Sequence, residues 1–285
     1  MFNQLVEIPY NVRALTNTDP AKTDRYPTFD WPRIPSPART ADAEVTALAE
    51  QAALAAARQA FEAAPHDIAC FVAEPIQAEG GDRHLRAEFL RAMQDLCLEF
   101  DALFVLDEVQ TGCGITGTAW AYQQLGLAPD VVAFGKKTQV CGVMAGRRVD
   151  DVAENVFAVS SRINSTFGGN LTDMVRTTRI LETIEAEHLV EGVPAKGQAL
   201  LAMLSDLAHR DERVGAVRGR GLLVAFDLPD AGLRDQVLAR LRERERVLLL
   251  GCGPCGIRFR PALTVALEDL GDGVAALSRV LRSCP

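Results

Sequence analysis

Two lysines stand directly after a segment with the composition of a buried strand. The segment is PDVVAFGKKTQV, residues 129–140, in which the apolar run ending at Phe134 precedes a glycine, Lys136 and Lys137. A lysine amine can form an imine with a carbonyl compound or transfer a proton when an acid lies close to it. An isolated Lys-Lys pair would instead be a solvated strand end, so the neighbouring strands must decide between the two interpretations.

The elements around these lysines alternate between strands and helices. Apolar runs predict strands in IACFVAEPI, ALFVLDEV and DVVAF, and a helical stripe between the first two contains Phe89, Leu90, Met93, Leu96, Cys97 and Phe100. This β-α-β-α-β order with continuous apolar strands is typical of a parallel sheet covered on both faces. Right-handed crossovers would bring the three strand ends to one edge, where ligands bind. That edge would carry Glu74, then Asp107 and Glu108, then Lys136 and Lys137.

The remaining segments predict an α/β large domain followed by a smaller α+β domain. Five prolines make residues 18–40 an extended excursion without regular structure, and an alanine-rich helix follows. Beyond a long connecting helix, the pattern predicts helices near 193–209, 231–245 and 266–282, with short strands between them. We therefore predict a large domain in residues 1–187 and a small one in residues 188–285.

Composition excludes several classes of partner. The net charge is −8, the pI is about 5.1, and no cluster of basic residues is present, which argues against nucleic acid or an anionic membrane. No apolar stretch approaches the roughly 18 to 20 residues of a membrane span, so we expect a soluble, cytoplasmic protein. Seven scattered cysteines fit reduced thiols. The pair Cys252 and Cys255 in CGPC favours a turn over a redox motif, and no metal site is expected.

Two stretches match the glycine pattern of a dinucleotide site, but a different cofactor fits better. The match GCGPCG, residues 251–256, is followed by a strand and therefore lacks the helix N-terminus that would hold a pyrophosphate. Gly112, Gly114 and Gly117 match G-x-G-x-x-G between a strand and a helix. A dinucleotide site requires an acid at the end of the next strand, which here ends in FGKK. Pyridoxal phosphate requires a lysine for the imine and an aspartate for the ring nitrogen. Asp107 and Lys136 could supply both groups, so an NAD(P)-binding oxidoreductase ranks second. Taken alone, Asp107 would fit a buried strand-end carboxylate paired with a lysine better.

Six ordered motifs carry a family resemblance. They are FVAEPIQAEGGD, VLDEVQTGCGITGTAWAYQQLG, PDVVAFGKKTQVCGVMAG, NSTFGGN, VRGRGLLVAF and IRFRPALTV. From about residue 15 to its end the chain resembles the class III, fold type I pyridoxal-phosphate aminotransferases. FGKKTQVCGVMAG resembles the members that act on L-lysine. The resemblance implies transfer of the ε-amino group of L-lysine to 2-oxoglutarate, while ornithine, 4-aminobutyrate and other ω-amines stay open as substrates.

The resemblance also implies roles for individual residues. Lys136 would carry pyridoxal 5′-phosphate with Lys137 as a bystander, and the cofactor-binding residues would be Asp107 at the ring nitrogen, Val109 on the ring face, Gln110 at the ring hydroxyl and Thr166 at the phosphate. Thr166 would reach the cofactor of a neighbouring subunit, which implies a homodimer; it would also suit a helix cap.

The substrate side depends on an arginine and a glutamate. Arg258 would bind the α-carboxylate of glutamate or 2-oxoglutarate, and Glu79 would mask it when the substrate presents a side-chain amine. Without the resemblance, both would be ordinary loop and strand-end residues. Asp82 and His84 are either substrate contacts or surface loop residues.

The N-terminal part departs from the family pattern. The segment MFNQLVEIPYNVRA matches neither the glycine/serine phosphate loop, nor the ring-stacking aromatic residue, nor the arginine for the substrate carboxylate. We expect the chain to begin in the middle of the large domain, with sheet edge and apolar surface exposed. A non-catalytic remnant of the family is therefore the alternative function.

Overall fold

The computed structural model describes residues 29–37, 40, 42–163 and 169–284, which fall into two units. The first unit contains the described residues up to Pro75, with Leu85–Gln110 and Tyr122–Glu182. The second unit contains Ile76–His84, Thr111–Ala121 and the chain from Thr183 onward. The chain thus enters the second unit three times, whereas the predicted division at residue 187 has a single boundary.

The helices and strands follow one another as the patterns predicted for most of the chain. The strands are β1 (Cys70–Ala73), β2 (Ile76–Gln77), β3 (Arg83–His84), β4 (Leu103–Asp107), β5 (Val131–Phe134), β6 (Gly142–Ala145), β7 (Gly215–Arg220), β8 (Leu223–Asp227), β9 (Leu250–Cys252) and β10 (Gly256–Phe259). The helices are α1 (Ala43–Ala63), α2 (Ala87–Glu99), α3 (Ala121–Leu125), α4 (Arg147–Asp150), α5 (Leu171–Ala186), α6 (Val193–Arg210), α7 (Ala231–Arg240) and α8 (Leu267–Ser283).

The first unit is built on a four-stranded sheet with the order β1-β4-β5-β6. Strands β1, β4 and β5 are parallel, which confirms the mostly parallel sheet, and β6 pairs antiparallel with β5. Helices α1 and α2 pack together on buried residues that include Ala57, Phe61, Leu90 and Met93, and this core continues to Phe104 of β4. The helical stripe predicted for α2 is buried except for the partly buried Phe100.

The second unit contains an antiparallel sheet with the order β7-β8-β10-β9, as expected for an α+β domain. Helices α6, α7 and α8 contribute to its core, with Leu200, Leu204, Val237 and Leu277 among the buried side chains. Strand β10 lies between β8 and β9, and all four of its residues are buried. The short hairpin β2–β3 also belongs to this unit.

The proline-rich segment and the end of α7 can be compared with their predictions. Residues 29–37 and 40, the described part of the predicted excursion, contain no helix or strand, and residues 18–28 and 38–39 lie outside the described residues. The helix predicted to reach residue 245 ends at Arg240 and continues as a π-helical turn, Leu241–Glu245. This turn keeps Leu241 fully buried and ends where Arg246 adopts a left-handed backbone. In the described part of the chain, no helix is both long and apolar enough to cross a bilayer.

The CGPC segment forms the turn between β9 and β10, as predicted. Burial raises the pKa of Cys252 to about 12, so its thiolate is strongly disfavoured and dithiol redox chemistry has no support here. Among the residues that the structure describes, no group of three or more His, Cys, Asp or Glu side chains is arranged to hold a metal ion.

Candidate functional site

An acid and an amine lie at the same edge of the parallel sheet. Asp107 is the last residue of β4 and is in register with Ala133 of the neighbouring strand β5. Lys136 follows the end of β5 after a single glycine. Burial raises the pKa of Asp107, and the positive charge of Lys136 opposes this rise. The parallel pairing therefore produces the convergence of acid and amine that the strand order predicted.

The Asp107 carboxylate is held in a partly desolvated position. Its Oδ1 accepts a hydrogen bond from the backbone N–H of Val109 at 2.9 Å. Burial raises the pKa of Asp107, while the Val109 N–H and the Lys136 charge lower it, and burial prevails. Because the raised pKa indicates a carboxylate that is poorly solvated, a cationic partner would be favoured next to it.

The two consecutive lysines differ in their surroundings. Lys136 is exposed and has a left-handed backbone with φ of 52°, which is uncommon for a non-glycine residue. Lys137 is half-buried, and its Nζ donates a hydrogen bond to the backbone carbonyl of Gln110. The structure therefore gives Lys137 a backbone partner, and it leaves Lys136 as the lysine whose amine lies in the field of Asp107.

Gly135 sits where a side chain would not fit. A Cβ on this residue would lie 2.7 Å from Sγ of Cys141 and 3.6 Å from Cγ2 of Val109. The same segment thus brings Val109 against the backbone that leads to Lys136. Close approach of this kind explains a glycine directly before the lysine.

The other residues predicted at this edge differ in their burial and in their hydrogen-bond partners. Gln110 is buried, and its carbonyl takes the Lys137 hydrogen bond. Glu108 is also buried, but its Oε1 accepts from the backbone N–H of Tyr122 at 2.8 Å, at the start of α3. Glu108 therefore has a local structural partner. Thr166 lies outside the described residues.

The second unit brings Glu79 and Arg258 together. Arg258 lies in the buried strand β10 with only 5% of its side chain exposed, and its Nη2 donates to Oε2 of Glu79 at 3.0 Å. The Glu79 side chain is 48% exposed. A fixed arginine is thus paired with an acid that has room to move.

A tight loop between β2 and β3 positions Glu79. Arg218 donates to the carbonyls of Gly81 and Asp82, and it also pairs with Asp227 at 2.8 Å. The N–H of Gly253 donates to the carbonyl of Glu79 at 2.9 Å. A Cβ on Gly253 would lie 2.8 Å from Cα of Gly81, so the CGPC turn must carry a glycine at this contact.

Asp82 is a buried acid that the sequence did not reveal. Its exposed fraction is 0%, and His84 is also buried, so the interpretation of both as surface loop residues is wrong. None of the described residues donates a hydrogen bond to either oxygen of the Asp82 carboxylate. Its Oδ1 lies 4.0 Å from Nη1 of Arg258. Burial raises the pKa of Asp82 to about 6, against the opposing charges of Arg258, Arg218 and Arg260.

We expect Asp82→Asn to stabilise the protein at alkaline pH. Since the pKa of Asp82 is raised from 3.8 to about 6, the folded state binds more protons than the unfolded state between these values. Stability therefore falls as pH rises through this window, by up to about 3 kcal/mol. A neutral amide avoids the penalty, so the variant should have the higher free energy of unfolding at pH 8, with a gain that shrinks towards pH 4. Denaturant unfolding at both pH values measures this, and a less stable variant at pH 8 would contradict it.

Comparison with known proteins gives consistent matches. Residues 14–281 match the family described as aminotransferase class-III. The chain is 61% identical over 275 residues to an L-lysine-epsilon aminotransferase of Amycolatopsis lactamdurans, which covers 95% of this chain and 61% of the relative. A second L-lysine-epsilon aminotransferase, from Streptomyces clavuligerus, is 60% identical over 93% of this chain and 59% of its own length.

A solved structure is similar over the same part of the chain. It is described as lysine aminotransferase from M. tuberculosis in the internal aldimine form, with a TM-score of 0.93 and 58% identity. The match covers 95% of this chain and 63% of that one. The chain therefore spans about 60% of the length of the relatives that it matches.

Proposed function

Because this chain belongs to the class-III aminotransferase family, we propose that it is a pyridoxal-phosphate-dependent enzyme. Pyridoxal 5′-phosphate is the cofactor of the family. The reaction that we propose is transfer of the ε-amino group of L-lysine to 2-oxoglutarate, with the semialdehyde and L-glutamate as products. The observation that carries the proposal is the placement of Asp107 and Lys136 at the ends of adjacent parallel strands, close enough for the Lys136 charge to act on the Asp107 carboxylate.

The residues at this edge fit the cofactor chemically. Lys136 is an exposed residue whose amine is of the kind that binds a carbonyl group, and the partly desolvated carboxylate of Asp107 favours a protonated ring nitrogen beside it. The half-buried side chain of Val109 offers an apolar contact for a ring face. Lys136, Asp107, Val109 and Gln110 would therefore hold the cofactor, with Thr166 as a further proposed contact from a second copy of the chain.

Each residue would have a separate task in catalysis. Pyridoxal phosphate, when bound, would withdraw electrons from the substrate carbon that carries the amino group. Lys136 would hold the cofactor through its Nζ, and the same amine would hold and move the proton at the substrate carbon. Asp107 would keep its negative charge throughout and stabilise the protonated ring nitrogen.

Glu79 and Arg258 would distinguish the two substrates. While Nη2 of Arg258 donates to Glu79, this side of the guanidinium is blocked for a substrate carboxylate. The substrate that binds in this state would therefore react through its side-chain amine. When Glu79 swings away, Arg258 binds the carboxylate of 2-oxoglutarate in a bidentate manner. The exposure of Glu79 and the burial of Arg258 support these different roles.

The choice of L-lysine as donor rests on the two relatives named for it, which are 61% and 60% identical to this chain. Ornithine and 4-aminobutyrate are the competing ω-amines, and rates with the three amines would rank them. The cytoplasmic location inferred from the composition stays a prediction.

A homodimer is the proposed assembly. Helix α5 has no buried residue, and its exposed apolar side chains are Leu171, Met174, Val175 and Leu181. An apolar helix face of this kind favours contact with another chain. The molar mass in solution, by light scattering, tests the assembly.

The proposed function is tested by trapping the cofactor on the purified chain. Pyridoxal phosphate is added, the visible absorbance is recorded, and borohydride reduction is followed by peptide mass mapping. The expected result is a visible band and a reduced phosphopyridoxyl group on Lys136. Amino transfer from lysine to 2-oxoglutarate is then assayed.

Two other outcomes would lead to different conclusions. A folded chain with no adduct would support the alternative of a non-catalytic family member. An adduct on Lys137 in place of Lys136 would contradict the residue roles and leave the family unchanged.

A further inference from the structure

We infer that Asp82 is a positioning residue for Arg258. It holds the Nη1 side of the guanidinium while the Nη2 side exchanges Glu79 for the carboxylate of the oxo-acid substrate. This inference rests on the proposed function, because it assigns Asp82 to the change from the L-lysine half-reaction to the 2-oxoglutarate half-reaction.

The geometry gives Arg258 two acids on different sides. Nη2 donates to the exposed Glu79 at 3.0 Å, and Nη1 lies 4.0 Å from Oδ1 of the fully buried Asp82. Among the described residues, neither Nη1 nor Nε of Arg258 has a hydrogen-bond partner, and neither does the Asp82 carboxylate. A hydrogen bond of this kind is about 2.9 Å long, so a shift of about 1 Å would close the Asp82 contact. Arg258 can thus form a hydrogen bond with Asp82 when its hydrogen bond with Glu79 breaks.

Asp82 would act by orientation because its direct charge effect largely cancels. Glu79 and the substrate carboxylate occupy the same side of Arg258 in turn, so the negative charge of Asp82 repels both of them to a similar extent. Only an interaction that differs between two states shifts their equilibrium. The remaining difference is the orientation of the guanidinium plane. A substrate carboxylate bound through both of its oxygens requires a fixed plane, whereas the hydrogen bond from Nη2 to Oε2 of the exposed Glu79 tolerates some rotation.

A purely structural role for the Asp82 carboxylate fits the contacts poorly. The loop is already held through its backbone by Arg218, which donates to the carbonyls of Gly81 and Asp82, and by the Gly253 N–H. The Asp82 side chain makes no hydrogen bond in the described structure, and its burial disfavours the ionised form. An acid that weakens the fold at neutral pH, yet faces the substrate arginine, is better explained by function.

The charged groups around Asp82 come from each element packed against it. Arg258 belongs to β10 and Arg260 follows that strand, Arg218 comes from β7, and Cys252 comes from β9. Glu79 lies on the same loop as Asp82 and raises its pKa. The Cys252 thiol, with a pKa of about 12, stays protonated at neutral pH. Protonation of Asp82, with a pKa of about 6, would therefore remove one negative charge from beside Arg258 in slightly acidic solution.

The test measures the two half-reactions separately on the cofactor-loaded enzyme. Conversion of the cofactor spectrum by L-lysine and its return by 2-oxoglutarate are followed for wild type, Asp82→Asn and Asp227→Asn. The expected result for Asp82→Asn is an apparent Kd for 2-oxoglutarate raised about tenfold, while the L-lysine half-reaction stays within about twofold. Asp227→Asn is the matched control, since it removes an acid that pairs with Arg218 and not with Arg258. Asp227→Asn should therefore affect the half-reactions with L-lysine and 2-oxoglutarate to a similar extent.

A second measurement uses wild type alone and does not depend on how the variant folds. The affinity for 2-oxoglutarate should fall as pH decreases through about 6, and the L-lysine half-reaction should lack a matching step. The inference is overturned if Asp82→Asn leaves both half-reactions unchanged or slows them equally, or if wild type has no such step. A wild type that reacts with neither substrate overturns the proposed function itself, and the inference with it.

Discussion

Replacing Lys136 by alanine is expected to lower the rate of amino transfer by about 10³-fold or more, since one residue would both carry the cofactor and move the proton. The neighbouring Lys137 provides the matched control. Its Nζ already donates to the carbonyl of Gln110, so Lys137→Ala should weaken a local contact and keep most of the activity. Steady-state rates with L-lysine and 2-oxoglutarate, together with borohydride trapping, measure both variants.

The pair of variants separates a catalytic role from a structural one. Lys136 is exposed and lies on the short 3₁₀ turn Lys136–Thr138, so alanine should leave the fold intact. A Lys136→Ala variant that retains the adduct and the rate would refute the assignment. A Lys137→Ala variant that loses both would transfer the assignment to Lys137.

The parallel part of the large sheet could be predicted because each of its strands is marked by a continuous apolar run. Val131–Phe134 and Leu103–Asp107 are of this kind, and the amphipathic helix α2 precedes the second of them. Strand β6 was not predicted, because GVMA is short, begins with a glycine and has exposed residues at Val143 and Ala145. The hairpin β2–β3 escaped prediction since its strands contain two residues each, too few for a period to appear.

The candidate site was predictable to the extent that its residues follow strand ends. Asp107 and Lys136 lie at the same edge of the sheet because β4 and β5 are parallel neighbours. The Glu79–Arg258 pair spans 179 positions in the chain, and only the family resemblance suggested it. Asp82 could not be recognised as buried, because an acid after two glycines has the local pattern of an exposed turn. Its burial depends on tertiary contacts with the β9–β10 turn and Arg218.

Asp107→Asn is expected to lower the rate by about 10³-fold, which corresponds to about 4 kcal/mol of transition-state stabilisation. The asparagine keeps the shape of the side chain and its acceptor for the Val109 N–H at 2.9 Å, so the fold should survive. It removes the negative charge that stabilises a protonated ring nitrogen and that acts on Lys136. The cofactor should therefore still be trapped on Lys136, and the loss should appear in the proton-transfer rate of each half-reaction.

The adjacent acid supplies the control for this prediction. Glu108 is buried and bonds the N–H of Tyr122, so Glu108→Gln should lower stability by about 1 kcal/mol or more and change the rate little. Equal losses of rate in the two variants would mean that Asp107 supports the strand end in the same way as Glu108. A loss of rate in Asp107→Asn but not in Glu108→Gln would support a position of the Asp107 carboxylate at the cofactor ring. Both variants remove one negative charge, so only the position of the charge distinguishes them.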